Sequence, residues 1–405
     1  MTMTTNQRSA HSSDHAMPAF LSQGFRPFFL AAGLWSAVAL AVWIIMFATG
    51  SAMPSRFDPL AWHIHEMLFG FVMAAIAGFL LTAIPNWTGR LPVSGGPLAL
   101  LAALWLLGRV ACLISALVPP WIAIAADLSF PVALVGVVAR EIVAGRNWRN
   151  LAVVAPVSVL GIANLLMHLE ANSVAVPSGL GWRLGLAGVI VLISVMGGRI
   201  VPSFTRNWLA RRAGSGLPAG HGRIDRVALG ILHAGLVGWA FLPAVWPVGL
   251  LLLLGAAINL WRLLRWRGIA TTAEPLLLVL HVGYAWLVLG VALLGLAVLG
   301  ADVPLSAAVH ALTVGAIGTM ILAVMTRATL GHVGRELSAD RVTVLIYGLV
   351  TLAAITRIAA AFGAGWTMPL LIIAAGLWIA AFAAFVLAYG PMLILPRRPR
   401  SRPGP

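Results

Sequence analysis

In a chain of 405 residues with only 9% charged side chains, the groups able to do chemistry are few enough to take one by one. The run Trp62-His63-Ile64-His65-Glu66-Met67 sets two imidazoles and a carboxylate close together, while His168, His310 and Arg357 stand far from it in sequence. Imidazoles ligate haem iron and first-row transition metals. A carboxylate beside an imidazole binds a non-haem ion or passes protons, and a guanidinium grips a planar carboxylate through two hydrogen bonds. Residues two apart on a regular helix point about 200° from each other, so His63 and His65 do not both ligate one metal from inside the same helix. His63 shares a helix face with Glu66, three residues on, which makes the two a candidate catalytic or metal-binding pair.

Composition sets the elements that must hold these groups. Hydrophobic residues make up 61% of the chain, more than a water-soluble core can hide, so the bilayer is the solvent. Apolar runs of about 20 residues, enough to cross roughly 30 Å of hydrocarbon, are predicted over 29–49, 62–84, 97–117, 120–142, 151–170 and 181–201. A second six follow over 226–245, 247–264, 275–298, 305–326, 343–363 and 367–390. The expected fold is therefore all-α, a polytopic membrane protein of about twelve transmembrane helices, spans 1 to 12. Residues 1–28 read as a polar cytoplasmic tail without the apolar core of a signal peptide, 29–390 as one membrane domain, and 391–405 as a basic cytoplasmic tail.

Arginine placement tests that count. All 26 basic residues are arginine, and with the N-terminus inside, 22 fall in inner loops and tails. Only Arg56 and Arg183 fall outside, and Arg109 and Arg357 lie within spans. A miscounted helix would scramble this positive-inside asymmetry, so both termini are read as cytoplasmic. The net charge of +15 is the same bias, with anionic lipid as its counterpart, and points to no nucleic-acid partner.

Once each span has a direction, depth follows. Spans 2 and 10 run inward and span 5 outward, which brings His63, His65, His168 and His310 to similar depth near the outer face. A bis-histidine haem takes two imidazoles from different helices across a gap the width of the porphyrin, and His65 with His310 fits that demand. Arg357, near the outer end of span 11, suits a haem propionate. His63, Glu66 and His168 are left as ligands for a second, non-haem metal. The alternative for each histidine is an interfacial side chain bonded to a neighbouring helix, and for Arg357, snorkelling to the outer interface.

Other buried polar residues read as structural. Arg109 and Asp127 lie at like depth on spans 3 and 4 and are expected to pair. His233 and His281, in the inner half, are expected to cross-link helices. Cys112 is the single cysteine, which excludes a disulfide framework, a thiolate zinc site and a four-cysteine iron–sulfur cluster; any metal is expected to use other ligands.

A weak repeat marks the inner ends of spans 2, 6 and 10, where Pro85, Pro202 and Thr326 are each followed three residues later by a threonine, at Thr88, Thr205 and Thr329. Recurrence every fourth helix suits three related four-helix units. The run WHIHEMLFGFVMAAIAGFLLTAIPNWTG, Trp62 to Gly89, resembles the signature of the NnrS family of bacterial membrane proteins. So do GFRPFFLAAGLW at span 1, GGRIVPSFTRNWL after span 6 and HALTVGAIGTMILAVMTRATLGHVGR across span 10, so the resemblance covers nearly the whole chain. It implies a haem- and copper-containing protein of the bacterial cytoplasmic membrane, linked to nitric oxide metabolism and nitrosative-stress resistance. A fold-level similarity to the core subunit of haem-copper oxidases and nitric oxide reductases is weaker, because span 6 lacks the histidine that their second metal takes there.

The expected function is a haem protein that binds nitric oxide and reduces or detoxifies it, reduction drawing electrons from a donor that the sequence does not identify. Two alternatives come from other classes. One is a twelve-helix secondary transporter, which would place its polar groups at mid-membrane on two related halves. The other is a haem-bound sensor or assembly partner that turns nothing over.

Overall fold

The computed structural model describes residues 18–212, 216–363 and 365–396; most of the two expected tails, with His11 and His15, lies outside the described residues. Among those described, twelve helices are long and apolar enough to cross a membrane, and there is no strand. They are α1 (Phe25–Thr49), α2 (Pro59–Thr88), α3 (Gly95–Leu113), α4 (Pro120–Ala144), α5 (Trp148–Ala171), α6 (Leu180–Ala210), α7 (Arg223–Phe241), α8 (Trp246–Leu264), α9 (Pro275–Val298), α10 (Leu305–Val333), α11 (Arg341–Phe362) and α12 (Thr367–Ile394). Each corresponds to one expected span. The largest boundary differences lie where helices run past hydropathy at their inner ends, α6 to Ala210 and α10 to Val333, while α1 starts at Phe25, where Arg26 turns inward, donating to the Leu393 and Leu395 carbonyls at 3.1 and 2.8 Å. Carbonyls at a helix C-terminus lack intrahelical donors, and the guanidinium supplies them there.

Consecutive helices pack side by side and α12 packs back on α1, closing a ring. Inside it α2, α6 and α10 touch one another. These three are the longest of the twelve spans and the most buried. The inner helices are thus every fourth one, the period that the Pro/Thr repeat marks. Lipid offers no hydrophobic drive for helices to associate, so close packing through small residues and polar bonds must hold such a bundle.

Two local features of α2 position its histidines. Asp58 caps its start, Oδ1 accepting from the Leu60 and Ala61 amides at 2.9 Å each, with Pro59 at the first helical position. Past His65 the helix widens to a π-helical segment, Glu66–Val72, and α10 does the same past His310, over Ala311–Gly318. Single π segments concentrate at functional sites, because the wider turn re-aims the flanking side chains. Asp58→Ala is expected to cost about 1 kcal/mol of stability, read as a lowered thermal midpoint in detergent, since the first amides of α2 lose their acceptor.

Candidate cofactor and metal sites

The π segments separate two polar regions on opposite sides of α2. On one side lies an apolar cavity of about 460 Å³ walled by α1, α2, α6, α10, α11 and α12, within the size range of sites that bury a large organic ligand. His63, His310 and Arg357 bring the ionisable side chains into its lining; Trp43, Phe71 and Trp378 are among its aromatic walls. His63 is stacked on Trp43, ring centroids 4.3 Å apart, and its Nδ1 is buried with no hydrogen-bond partner among the described residues. His310 is anchored instead: its Nδ1 lies 2.7 Å from the Ser306 carbonyl. A carbonyl only accepts, so Nδ1 carries the proton and Nε2 keeps the lone pair, the tautomer that a ligating histidine needs. Arg357 donates to Ser306 Oγ at 2.9 Å and has no carboxylate partner among the described residues.

On the other side of α2 is a dense ionic cluster. The Arg109 guanidinium on α3 reaches both Glu66 oxygens at 2.8 and 2.7 Å and also bonds Asp127 Oδ1 on α4. Trp35 Nε1 donates to Glu66 Oε2 at 2.7 Å. His65 lies between the carboxylates, Nδ1 3.1 Å from Glu66 Oε1 and Nε2 3.2 Å from Asp127 Oδ2. His168 Nε2 reaches the same Asp127 oxygen at 3.0 Å, and Asn164 Nδ2 donates to it at 2.8 Å. Glycine makes room twice: a Cβ on Gly70 would lie 2.5 Å from Trp35 Nε1, and one on Gly108 2.6 Å from Asp127 Oδ1. Ligand atoms of His65, Cys112, Asp127 and His168 all lie within 4.8 Å of one another, and all four residues are buried.

This geometry revises several expectations. His63, not His65, shares the cavity with His310, because α3, α4 and α5 occupy the His65 side of α2 and α10 the other. Glu66 turns away from His63 toward His65 and Arg109, since the buried guanidinium attracts it and the helix leaves α geometry at that residue. The Arg109–Asp127 pair forms as expected but belongs to a larger network. Cys112 is the residue that sequence reasoning set aside: one thiolate cannot build a zinc finger, yet it can complete a mixed ligand set. A signal existed, for Cys112 lies three residues after Arg109 and so on the same face of α3. His233 and His281 do bridge helices, to Ser194 at 2.8 Å and to Thr205 at 2.9 Å.

No curated protein matches the chain. The family model described as NnrS protein matches residues 19–397, nearly its whole length, with both polar regions inside the match. A multi-pass membrane protein with histidines on both sides of its second helix, the chain belongs to the NnrS family.

Proposed function

We propose that this protein binds haem in the 460 Å³ cavity, where His63 and His310 would hold it and Arg357 would pair a propionate, and that it binds nitric oxide there and reduces or detoxifies it. The observation that carries the reading is the cavity's nitrogen inventory. One imidazole has its Nδ1 buried without a partner, and the other is held in the ligating tautomer by a backbone carbonyl. A third group, a guanidinium without a carboxylate partner among the described residues, lines the same cavity. Leaving a buried nitrogen unpaired in an apolar cavity is costly, so a bound group that takes the His63 nitrogen accounts for it. Apart from Ser306 and Thr313 the remaining lining is apolar and aromatic, suited to a porphyrin face.

Haem, when bound, supplies the iron that takes nitric oxide. The chain's own residues orient it, pair its acidic edge and exclude water: His310 is fixed through Ser306, His63 through its stack on Trp43, and Phe71 and Trp378 close the inner end. On this reading, which the family membership supports, the protein acts in the bacterial cytoplasmic membrane in nitrosative-stress defence or denitrification.

Protein purified from membranes should carry haem, seen as a Soret band that shifts on adding nitric oxide to the reduced form. Reduced protein in proteoliposomes should then form nitrous oxide. Absence of any Soret band would return the protein to the carrier reading. A nitric oxide shift without nitrous oxide would leave a sensor or assembly role.

A further inference from the structure

We infer that a second, smaller cavity, of about 90 Å³ between the inner halves of α2, α6 and α10, is a docking site for a small uncharged gas molecule that exchanges with the haem cavity. The identity of that gas as nitric oxide rests on the proposed function; the site itself does not.

The lining selects the ligand class. It is built from α1, α2, α6, α9 and α10, and none of its described residues has a polar side chain. A buried water needs about two to four polar partners, and cavities lined only by aliphatic and aromatic groups stay dry while accepting xenon or benzene. Size narrows the class further. Sites for cofactors and drug-sized ligands occupy roughly 300–1,000 Å³, so 90 Å³ admits no porphyrin or comparable organic cofactor. An uncharged diatomic fits, and it loses little by leaving water because it has no strong hydrogen bonds to give up.

Position links the two cavities. Both lie along α2, α6 and α10, which as even-numbered spans run in the same direction. On α2 the haem cavity ends at Phe71 and Val72 and the smaller one begins at Ala75 and Ile76; on α10 the change falls between Ile317 and Met320. Three to four residues are about one helical turn, so roughly 5–6 Å of apolar side chains separates the two. Small residues make the space. Ala75 and Gly197 line the cavity, and Gly283 lets Met320 lie against α9, where a Cβ would stand 2.8 Å from its Cγ and Sδ. Methionine is unbranched and adaptable, so the side chain next to the partition is one that can move for a passing molecule.

A store of this kind serves the proposed reaction, because nitrous oxide contains the nitrogen of two nitric oxide molecules. A second molecule held one turn from the haem meets the first at a far higher effective concentration than one arriving from bulk.

The full-length protein tests the proposal. In crystals pressurised with xenon, a measurement that needs no haem, an anomalous xenon peak should appear between Ala75, Leu192 and Met320. Val324→Phe, from the α10 wall, should remove it, and so should Ile193→Phe from the α6 wall, which serves alone if the first variant does not fold. Laser photolysis of the reduced haem–nitric oxide complex should show a slow geminate phase from molecules that wait in the smaller cavity. Xenon pressure or either variant should cut the amplitude of that phase at least threefold, with the Soret band unchanged as evidence of folding. A xenon peak in protein without a Soret band would sink the haem reading and leave the gas site standing. No xenon in the cavity, ordered water or a lipid chain occupying it, or a slow phase that is absent or indifferent to xenon and to both variants would each overturn the proposal.

Discussion

His63→Ala and His310→Ala are each expected to abolish the native haem spectrum, whereas His65→Gln should leave it intact. The two alanine variants remove an imidazole from opposite walls of the same cavity, from α2 and α10. Loss of a mere outer partner of a ligating histidine costs roughly 10–100-fold in metal affinity, so loss of the ligand itself should exceed that and appear as haem-poor or five-coordinate protein. Arg357→Ala should act more mildly, lowering haem retention while the ligation spectrum stays. Optical spectra of variants matched for monodisperse elution decide the matter. A native Soret band in both alanine variants would show that haem, if present, lies elsewhere.

The second large effect is on stability. Arg109→Met is expected to destabilise the protein by about 3–5 kcal/mol, because it leaves Glu66 and Asp127 facing each other in a buried region with no cation of fixed charge between them. Both carboxylates are essentially without solvent, so neither can recover hydration in place of the lost bonds. Converting all three groups to neutral ones, Arg109→Met with Glu66→Gln and Asp127→Asn, should recover part of that loss, since a buried charged network often contributes less than its breakage costs. Thermal unfolding in detergent, followed by the fraction remaining monodisperse, reads both variants. Equal midpoints for wild type and Arg109→Met would mean that the network is not a folding determinant.

These two expectations differ in how far the sequence alone reaches them. That Arg109 meets Asp127 follows from depth on adjacent antiparallel spans. That Glu66 joins them does not, because helical spacing alone points it toward His63. Likewise four histidines at one depth are legible from span directions, but depth says nothing about azimuth. The 200° between His63 and His65 shows that only one of them faces α10, and which one depends on the side of α2 that α10 occupies.

The number and order of spans, their all-α character and the identity of the outer histidine set were determined by local properties: apolar run length against bilayer thickness, and arginine placed by the charge asymmetry of the membrane. The inner position of every fourth helix was foreshadowed by a short repeat. Rotation about each helix axis was not, because twelve mostly apolar helices show little polar contrast to set one face against lipid and another against protein. Only packing decided it, through close contacts at Gly70 and Gly108 and two π segments that shift the phase of everything after them. Thus tertiary structure divided one apparent cluster of histidines into two sites, His63 with His310 in the cavity and His65 with His168 beside Cys112.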